Sequence, residues 1–586
     1  MVQTLIFLPI LAAAFLAITP YARIIYLLCA IALGVGSLVS ISLFVSPENI
    51  PFYFSDGLKI LVVIADVVLL FYFLYQGIAY KNRLIIFLSL LQLVLYGWAE
   101  SIAPSAGAAE MIVDDLSKMM FLIINIVGGI IVFYSVRYME EESASPFKKR
   151  LLTIGLMLFL SVMNAIVCAN SLLLFFFLFE MTTLASYLLI AFRDDEISRT
   201  NALRALWMNQ IGGVVILLGT LVSIYGFDTV MLDALVQNSG GMLLLSVALL
   251  SMAALVKGAS IPFDGWLLGA MVAPTPVSAM LHSATMVKIA PYLILKLAPA
   301  WAETTLGDTF SAIGALVFIT ASYLALSRSV FKEILGYSTV ALLGLMMALA
   351  AIGTTESMAL ATVLMVFHAL SKALLFLAAG VLEKRYHLKN VEDMAGIAHR
   401  APETIGYVMF GFISLTLPPF GLFMGKMFAI ESVSSLLRER PILLIVLLGI
   451  IIGSALLVLL YFKVSSALIS NSSDVEERET EILPLGFRFP MMALSILAVL
   501  TAAWFMLLQD DSALMLFLLP LVVILLLPRF IRKMDRYDRI QPYHCGEKEP
   551  FDAALVYYEP SARIKQIIYW SFGLLFVGVA FVGAFS

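Results

Sequence analysis

The sequence predicts an all-α polytopic membrane protein with about 18 transmembrane helices, in a range of about 16 to 19. Three observations support this class. The 586 residues are 62% hydrophobic and only 13% charged, whereas soluble domains carry about 25% charged residues. Apolar runs of about 20 residues, each long enough to cross a bilayer, recur from end to end. The loops between them alternate between basic and non-basic, as successive crossings require.

The crossings are expected to be helices because a helix satisfies its own backbone groups in lipid. The first run has no charged n-region and no clear cleavage site, so it is expected to be a transmembrane helix and not a signal peptide. The run 403–437 is too long for one straight crossing, which leaves room for a break. The apolar segments lie near 3–20, 23–46, 59–80, 83–100, 117–138, 150–168, 170–193, 206–226, 242–262, 271–297, 308–327, 334–353, 357–382, 403–437, 441–468, 488–508, 512–529 and 567–585.

Lysine and arginine in the loops predict the orientation. Both termini and the loop 227–241 are expected outside, whereas the loops 383–403 and 529–566 are expected in the cytoplasm. Arg438 and Arg440 are exceptions to the alternation. The basic loops carry Lys81, Arg83, Lys148, Lys149, Arg150, Arg193, Arg199, Arg204, Lys384, Arg385, Lys389, Arg400, Arg529, Arg532, Lys533, Arg536 and Arg539.

Several ionisable residues lie inside the apolar segments. Each costs ~2.5–3.5 kcal/mol on insertion scales, so their default interpretation is an ion or proton path. A lysine near a helix end can instead extend its ammonium to the interface, which fits Lys59, Lys118 and Lys296. For Lys332, at the cytoplasmic end of its segment, both interpretations stay open. The candidate path residues are Glu180, Lys257, His282, Lys288, His368, Lys372 and Lys426.

The two histidines are each followed by a lysine, at different spacings. His368 and Lys372 are four residues apart and share one helix face, where two cations would repel. One of them is therefore expected to be neutral, which suits a proton relay. His282 and Lys288 are six residues apart and do not share a face, although Thr285 could bridge them through water.

Two helices contain break signals beside a lysine. Lys257 is followed by Gly258 and Pro262 in "AALVKGASIPF", and Lys426 follows Pro418 and Pro419 in "SLTLPPFGLFMGKMF". Proline frees backbone carbonyls, and broken membrane helices are tolerated where they line a wet cavity. Paired interruptions point to inverted repeats with a midplane site. The alternative is a pair of ordinary kinks.

These breaks would be equivalent if the core were two inverted five-helix repeats, each with a broken helix. The expected organisation has four parts. The N-terminal helices, 1–149, include two extra transmembrane segments. They are followed by a first repeat over 150–300, which forms the ion-translocating half, and a second over 301–470. The last part, 471–586, holds C-terminal helices and the basic cytoplasmic loop 529–566.

No cofactor or metal site is expected in this chain. It contains no CxxC, GxGxxG or P-loop pattern, so an iron–sulfur cluster or zinc held by this chain alone is not expected. Cys29 and Cys168 lie in apolar runs and are interpreted as packing residues, and Cys545 as a loop residue. Redox chemistry would therefore belong to partner subunits, and no nucleic-acid partner is expected.

The stretches "LFFFLFEMTTLASYLLI", "APTPVSAMLHSATMVKIAPYLI", "FKEILGYSTVALLGLM", "FHALSKALLFLAAGVLE" and "LPPFGLFMGK" closely resemble the antiporter-like subunit family. That family includes pumping subunits of respiratory complex I, large subunits of Mrp-type cation/proton antiporters, and relatives in membrane-bound [NiFe] hydrogenases. The resemblance covers about 110–430, and the combined motifs are highly specific.

The resemblance implies that Glu180 pairs with the broken-helix Lys257 and tunes its charge. It also implies an onward path through Lys288, His282, His368, Lys372 and Lys426. One motif departs from the family: where members often read "FHxWLPDAM", this chain has "FDGWLLGAM". Asp264 replaces the histidine and Gly269 the aspartate.

The branch most resembled is the large antiporter-like subunit of Ech-type energy-converting hydrogenases. The stretch 530–566 is interrupted by prolines, so it cannot form the long lateral helix of the largest complex I member, and "PYHCGEKEPF" is similar to hydrogenase relatives. The expected function is proton or sodium translocation in the prokaryotic cytoplasmic membrane, coupled to partners with iron–sulfur clusters and a NiFe centre.

Three alternatives stay open. The chain could belong to an Mrp-type sodium/proton antiporter, or it could have a pumping role in an NADH or ferredoxin–quinone oxidoreductase. The third alternative is a passive anchor, against which the buried lysines argue. Whether the chain counts as part of an enzyme depends on these partners.

Overall fold

The computed structural model describes residues 1–19, 22–104, 107–238, 241–395, 397–418, 420–469, 482–507 and 560–585. Within these ranges, fifteen helices are long and apolar enough to cross a membrane, and the apolar helices Val2–Ile18 and Gly241–Lys257 are shorter. The all-α polytopic class is therefore confirmed. The count of 18 stays a prediction, because the segment 512–529 lies outside the described residues, as do Cys545 and most of the loop 529–566.

The long helices follow the predicted segments, whereas two short strands and short helices lie in stretches that were predicted as loops. The N-terminal part contains α1 (Val2–Ile18), α2 (Ala22–Val45), β1 (Ile50–Phe52), α3 (Asp56–Ala79), α4 (Arg83–Ile102), β2 (Met111–Val113), α5 (Asp115–Leu122), a π-helical turn (Ile123–Gly128) and α6 (Gly129–Glu140). The next part contains α7 (Pro146–Ile166), α8 (Leu172–Ile190), α9 (Glu196–Phe227), α10 (Leu232–Val236), α11 (Gly241–Lys257), α12 (Asp264–Gly269), α13 (Thr275–Ala279) and α14 (Ile289–Trp301). The remainder contains α15 (Thr305–Leu326), α16 (Phe331–Ile352), α17 (Thr355–Tyr386), α18 (Ile397–Arg400), α19 (Pro402–Thr416), α20 (Gly421–Leu436), α21 (Leu444–Ile469), α22 (Leu485–Leu507) and α23 (Ala562–Phe585).

Polar caps determine where several of the long helices begin. The side chains of Ser55, Asn82 and Ser171 accept hydrogen bonds from backbone amides in the first turns of α3, α4 and α8. Asp195 forms a capping box with Ser198 at the start of α9. Each cap satisfies amides that have no partner within the helix, so the apolar runs start at defined residues.

Two breaks interrupt the helices at the predicted places. α11 ends at Lys257 and α12 begins at Asp264, with Pro262 in the non-helical connection. α19 ends at Thr416 and α20 begins at Gly421. Pro418 lies between them, and Pro419 lies outside the described residues. The helices stop and restart, so the alternative of ordinary kinks is wrong for both.

The breaks occur in the same order within two successive runs of five helical segments. The first run is α7, α8, α9, the interrupted pair α11 and α12, and the segment from α13 to α14. The second run is α15, α16, α17, the interrupted pair α19 and α20, and α21. This order agrees with two repeats, while their inverted relation and the domain boundaries stay predictions.

Loops that were predicted to share a side of the membrane lie together. On the non-basic side, β1 pairs antiparallel with β2, and the Asn170 amide donates to Asp233 Oδ1 at 2.8 Å. On the basic side, Lys384 forms an ion pair with Glu142. The loops that make these contacts therefore share a side as predicted, and the side that faces the cytoplasm stays a prediction.

Arg440, one of the exceptions to the alternation, is neutralised locally. Its guanidinium forms an ion pair with Asp308 and donates to the Ile352 carbonyl at 3.0 Å, at the end of α16. A paired arginine that caps a helix C-terminus contributes little to a topological signal based on free loop charge.

The helices α14, α16 and α17 form the centre of the molecule. The membrane-spanning part of α16, like the segment Thr275–Trp301, is buried throughout. α15 approaches α16 closely, because a Cβ on Gly314 would lie 2.7 Å from the Gly344 carbonyl oxygen. Small residues permit such approach in membrane bundles.

Candidate functional site: a buried row of charges

Glu180 and Lys257 lie on the neighbouring helices α8 and α11, and both are fully buried. They do not form the direct pair that was expected. The Lys257 ammonium donates to the Phe179 carbonyl at 3.1 Å and to Thr183 Oγ1 at 3.0 Å, and it lies 3.8 Å from the centroid of the Phe179 ring. Phe179 and Thr183 lie before and after Glu180 on α8, so the Lys257 ammonium lies close to the Glu180 carboxylate without contacting it directly. The two charges therefore interact through space.

Gln92 and a glycine position the Glu180 carboxylate. Glu180 Oε1 accepts from the Gln92 side-chain amide at 2.8 Å. Among the described residues, Oε2 has no hydrogen-bond partner. A Cβ on Gly213 of α9 would lie 2.0 Å from Oε1, so the carboxylate occupies the space that the missing side chain leaves. Gln92 belongs to α4, one of the two extra helices.

Lys288 and His368 make direct contact between the two halves of the chain. Lys288 Nζ lies 2.6 Å from His368 Nδ1, and both residues are fully buried. A hydrogen bond needs one donor and one acceptor, so an ammonium here requires an imidazole with a free Nδ1 lone pair. His368 Nε2 has no partner in the described part of the chain. The pair is therefore arranged to exchange a proton.

His282 lies in an irregular part of its segment. The chain forms a π-helical turn over Met280–Ala284 and a 3₁₀ turn over Met286–Lys288. Thr285 between them donates to the Met280 carbonyl at 2.7 Å, so it satisfies the interrupted backbone. Its role as a water-mediated bridge between His282 and Lys288 stays a prediction. The His282 ring packs 4.8 Å from the Phe376 ring, and neither of its nitrogens has a partner among the residues described.

Lys372 and Lys426 continue the series of buried ionisable residues through the second half. We call this series the row; its members are Glu180, Lys257, His282, Lys288, His368, Lys372 and Lys426. Lys372, one turn after His368 on α17, donates to the Leu335 carbonyl at 3.0 Å and to Ser338 Oγ. Lys426 is 3% exposed and donates to the Leu415 carbonyl at 3.4 Å. Leu415 is in the last turn of α19, where carbonyls lack helical partners. The break thus supplies the acceptor for Lys426.

Lys332 does not extend to water. It is 8% exposed and forms an ion pair with Glu383, which also accepts from Thr275 Oγ1 at 3.0 Å. The snorkelling interpretation therefore does not fit this lysine, because the partly buried Glu383 carboxylate on α17 holds the ammonium. The pair connects the basic ends of α16 and α17.

The other three lysines each have an acceptor or a counter-ion near a helix end on the non-basic side. Lys118 is 1% exposed and donates to the Ser46 carbonyl at 2.7 Å. Lys296 forms an ion pair with Asp114, the N-cap of α5. Lys59 pairs with Glu110 at 2.8 Å and is the most exposed of the three. Carboxylates and carbonyls of the non-basic loops therefore hold these ammoniums.

Asp264, the residue that departs from the family motif, receives a partner from the C-terminal helix. Its Oδ2 accepts from the Tyr569 hydroxyl at 2.7 Å. At Gly269, where family members often have aspartate, a Cβ would lie 2.6 Å from Asn201 Oδ1, so a larger residue there would require the Asn201 side chain to move. α23 thus packs beside the break between α11 and α12, a contact that the sequence did not predict.

Four residues in or beside this buried row were not identified from the sequence: Gln92, Thr183, Glu383 and Asp66. The sequence signal for Gln92 and Asp66 was present, because an amide or a carboxylate inside an apolar segment is costly and usually functional. Thr183 and Glu383 carried no such signal. They are common residue types, and only the packing brings them to Lys257 and Lys332.

Comparisons with known proteins relate the chain to a family and to two solved structures. A family model described as NADH:quinone oxidoreductase/Mrp antiporter, TM matches 169–456, and one described as NADH-Ubiquinone oxidoreductase (complex I), chain 5 N-terminus matches 105–147. The chain is 30% identical over 339 residues to a Na(+)/H(+) antiporter subunit of Staphylococcus haemolyticus, over 54% of this chain and 42% of the relative. It is 31% identical over 350 residues to the corresponding Na(+)/H(+) antiporter subunit of Alkalihalophilus pseudofirmus, over 55% and 43%. The chain therefore spans less than half the length of these curated relatives.

Two solved structures share the fold. A chain of the archaeal membrane-bound sulfane sulfur reductase, a respiratory membrane complex, superimposes with a TM-score of 0.69 at 16% identity, over 86% of this chain and 94% of that one. A chain of the Mrp complex from Dietzia sp. superimposes with a TM-score of 0.59 at 18% identity, over 76% and 95%. The range matched by the first family model, 169–456, includes every residue of the row from Glu180 to Lys426. The protein is a member of the antiporter-like membrane subunit family, to which the NADH:quinone oxidoreductase and Mrp antiporter transmembrane subunits belong.

Proposed function

We propose that the chain is a proton-translocating subunit of a hetero-oligomeric complex in the prokaryotic cytoplasmic membrane. The observation that carries this proposal is the contact of 2.6 Å between Lys288 Nζ and His368 Nδ1. It joins residues of the two halves in a fully buried setting, where two full charges would repel strongly. If these residues only filled space, apolar side chains would do so at a lower cost in free energy, because they need no desolvation of charge.

The proton would move along the row in short steps. The Glu180 carboxylate favours the charged form of Lys257, and a change in its position or its protonation would release that proton towards Lys288. There an N–H bond of the Lys288 ammonium breaks as one forms at His368 Nδ1, and Nε2 then gives up its own proton. Lys372 and Lys426 would receive it in turn and pass it to the aqueous phase.

Variants of the central pair test this proposal. In the purified complex reconstituted in vesicles, His368→Gln keeps an acceptor for Lys288 but cannot pass a proton through a ring. We expect assembly to be retained and ion uptake to fall by about tenfold or more, equivalent to ~1.4 kcal/mol per decade. Lys288→Met should have the same effect, and the double variant should lose no more than either single one. Uptake equal to that of the parent in both single variants would contradict the proposal.

Three kinds of complex are candidates for the setting of this translocation. We favour an energy-converting [NiFe] hydrogenase, because the C-terminal sequence resembles that branch and no cofactor motif occurs in this chain. The Mrp-type antiporter is the second candidate, supported by 30–31% identity to the two sodium/proton antiporter subunits. A pumping role in an NADH or ferredoxin–quinone oxidoreductase is a third.

The native complex distinguishes the candidates. We expect purification through this chain to recover hydrogenase subunits with nickel, iron and acid-labile sulfur, measured by elemental analysis and mass spectrometry. Iron–sulfur clusters without nickel would favour the oxidoreductase. A complex of small membrane subunits without iron would favour the antiporter and contradict the hydrogenase assignment.

A further inference from the structure

The extra helices α3 and α4 contain a buried carboxylate that the path described above does not use. Asp66 lies ten residues into α3, about 15 Å along the helix, and its side chain is fully buried. Neither carboxylate oxygen has a hydrogen-bond partner among the described residues. A buried carboxylate without partners is strongly unfavourable as an anion, so this site requires a proton or water.

Asp66 lies on the side of the helix pair that faces Glu180. Its electrostatic neighbours are Glu180 on α8, and Glu100 and Tyr96 on α4. Gln92, on the same helix as Tyr96, donates to Glu180 Oε1 at 2.8 Å. Gln92 Oε1 and Glu180 Oε2 have no partners in the described part of the chain. Asp66, Gln92 and Glu180 thus carry acceptor oxygens without a partner among the described residues, and water molecules could satisfy these oxygens as donors.

A cavity of about 560 Å³ opens at the non-basic side of the molecule, beside the first turns of α3 and the last turns of α4. Lys59, Glu100, Glu110 and Tyr96 line it, and Lys59 and Glu110 are paired across it at 2.8 Å. We call it the vestibule. Val63, one turn before Asp66, also lines the vestibule, so about 5 Å of helix separates its floor from Asp66. Tyr96 both lines the vestibule and neighbours Asp66.

We propose that α3 and α4 form a hydrated proton branch from the vestibule through Tyr96 and Asp66 to Glu180. This inference rests on the proposed function of the row. A proton from water in the vestibule binds a carboxylate oxygen of Asp66, and Asp66 passes it through water to Glu180. Only O–H bonds break and form. Protonation of Glu180 removes the negative charge beside Lys257, so the branch would couple the vestibule to the first step of the path.

A purely structural role fits Asp66 poorly. Two amide donors of the neighbouring helices are used elsewhere: the Gln210 amide donates to Ser89 at 2.9 Å, and the Gln92 amide donates to Glu180 and to the Gln210 carbonyl at 3.0 Å. This leaves the Tyr96 hydroxyl as the one nearby donor named among the described residues, which is little support for a buried anion. A packing residue at this position would be apolar, as Leu70 is one turn later. The carboxylate is retained without the contacts that would stabilise it.

Cysteine accessibility tests the route independently of ion uptake. In the full complex in sealed vesicles, Asp66→Cys should react with a small, charged, water-soluble thiosulfonate added on the vestibule side. Leu70→Cys, which is equally buried, should not react, and Asp56→Cys at the exposed start of α3 should react fully. The parent chain corrects for its own cysteines. If Asp66→Cys is as unreactive as Leu70→Cys, the hydrated route is absent.

Ion uptake tests its use. Asp66→Asn should reduce uptake severalfold, and Asp66→Glu should restore part of it. Glu48→Gln, at an exposed carboxylate on the same side that does not line the vestibule, should match the parent, with assembly checked by size-exclusion chromatography. If Asp66→Asn pumps like the parent while Lys288→Met does not, the branch is refuted and the proposed function stands. If Lys288→Met also pumps like the parent, the proposed function itself fails.

Discussion

Glu180 is held by one hydrogen bond and by the absence of a side chain at Gly213. Its second oxygen is free to gain or lose a proton. Lys257 in turn has two neutral acceptors, Phe179 and Thr183, and no direct counter-ion among the described residues. At the scale of single residues, the charge of Lys257 therefore depends on a carboxylate that can change state without breaking a salt bridge.

This geometry predicts the behaviour of two substitutions. Glu180→Gln keeps the shape of the side chain but removes the negative charge, so it should leave Lys257 neutral throughout the cycle. Lys257→Met removes the ammonium without leaving a large cavity. Each variant should assemble and should reduce ion uptake by about tenfold, or ~1.4 kcal/mol, while electron transfer to an uncoupled acceptor changes much less. Uptake and redox rate are measured on the same vesicles.

The matched control for Lys257→Met is a lysine that has no buried role. Lys296 was the natural choice from the sequence, but its ion pair with Asp114 makes it unsuitable. Lys389 is exposed in the loop after α17, and Lys389→Met should pump like the parent. If Glu180→Gln and Lys257→Met both pump as well as the parent, the buried charges of the row need another explanation.

At the scale of elements, the second break depends on close packing against α17. α20 begins at Gly421, where a Cβ would lie 1.8 Å from the Phe367 ring. Gly421→Ala should displace the start of α20, and Lys426 with it. We expect a loss of ~1–3 kcal/mol, typical of overpacking, seen as a lower thermal midpoint of the complex in detergent together with reduced uptake. Gly406→Ala on α19, where a Cβ meets no atom within 4 Å, is the control. An unchanged midpoint in Gly421→Ala would show that the break tolerates movement.

At the scale of the whole molecule, the alternation of loops predicts a sidedness that labelling can measure. Gln237 and Lys389 are exposed on opposite sides of the helix bundle. With an impermeant maleimide added to intact cells, Gln237→Cys should be modified and Lys389→Cys should not. Leu235, in the same outer loop, is unsuitable because it is fully buried. The reverse labelling pattern would invert the topology and place both termini inside.

The composition of the chain also predicts that any redox centre belongs to partners. Among the described residues, no group of three or more His, Cys, Asp or Glu side chains could hold a metal ion. When isolated from its complex, the chain should therefore contain no stoichiometric iron, nickel or flavin, by elemental analysis and absorbance. Iron at one atom per chain or more would refute this prediction.

The sequence by itself determined the class of the protein, most of its helices, both breaks and the residues of the buried row. These features are readable because apolar length, proline and intramembrane charge are local properties with large energetic costs. The family followed from the same motifs.

Tertiary structure alone decided which of these residues meet. The contact between Lys288 and His368 joins positions 80 residues apart, and the contact between Gln92 and Glu180 joins positions 88 apart. Lys118 looked like an interfacial lysine but is buried, because the Ser46 carbonyl accepts its hydrogen bond inside the protein. Helical periodicity gives the face on which a side chain lies, whereas its partner depends on which helices pack together, and that depends on the fold of the whole chain.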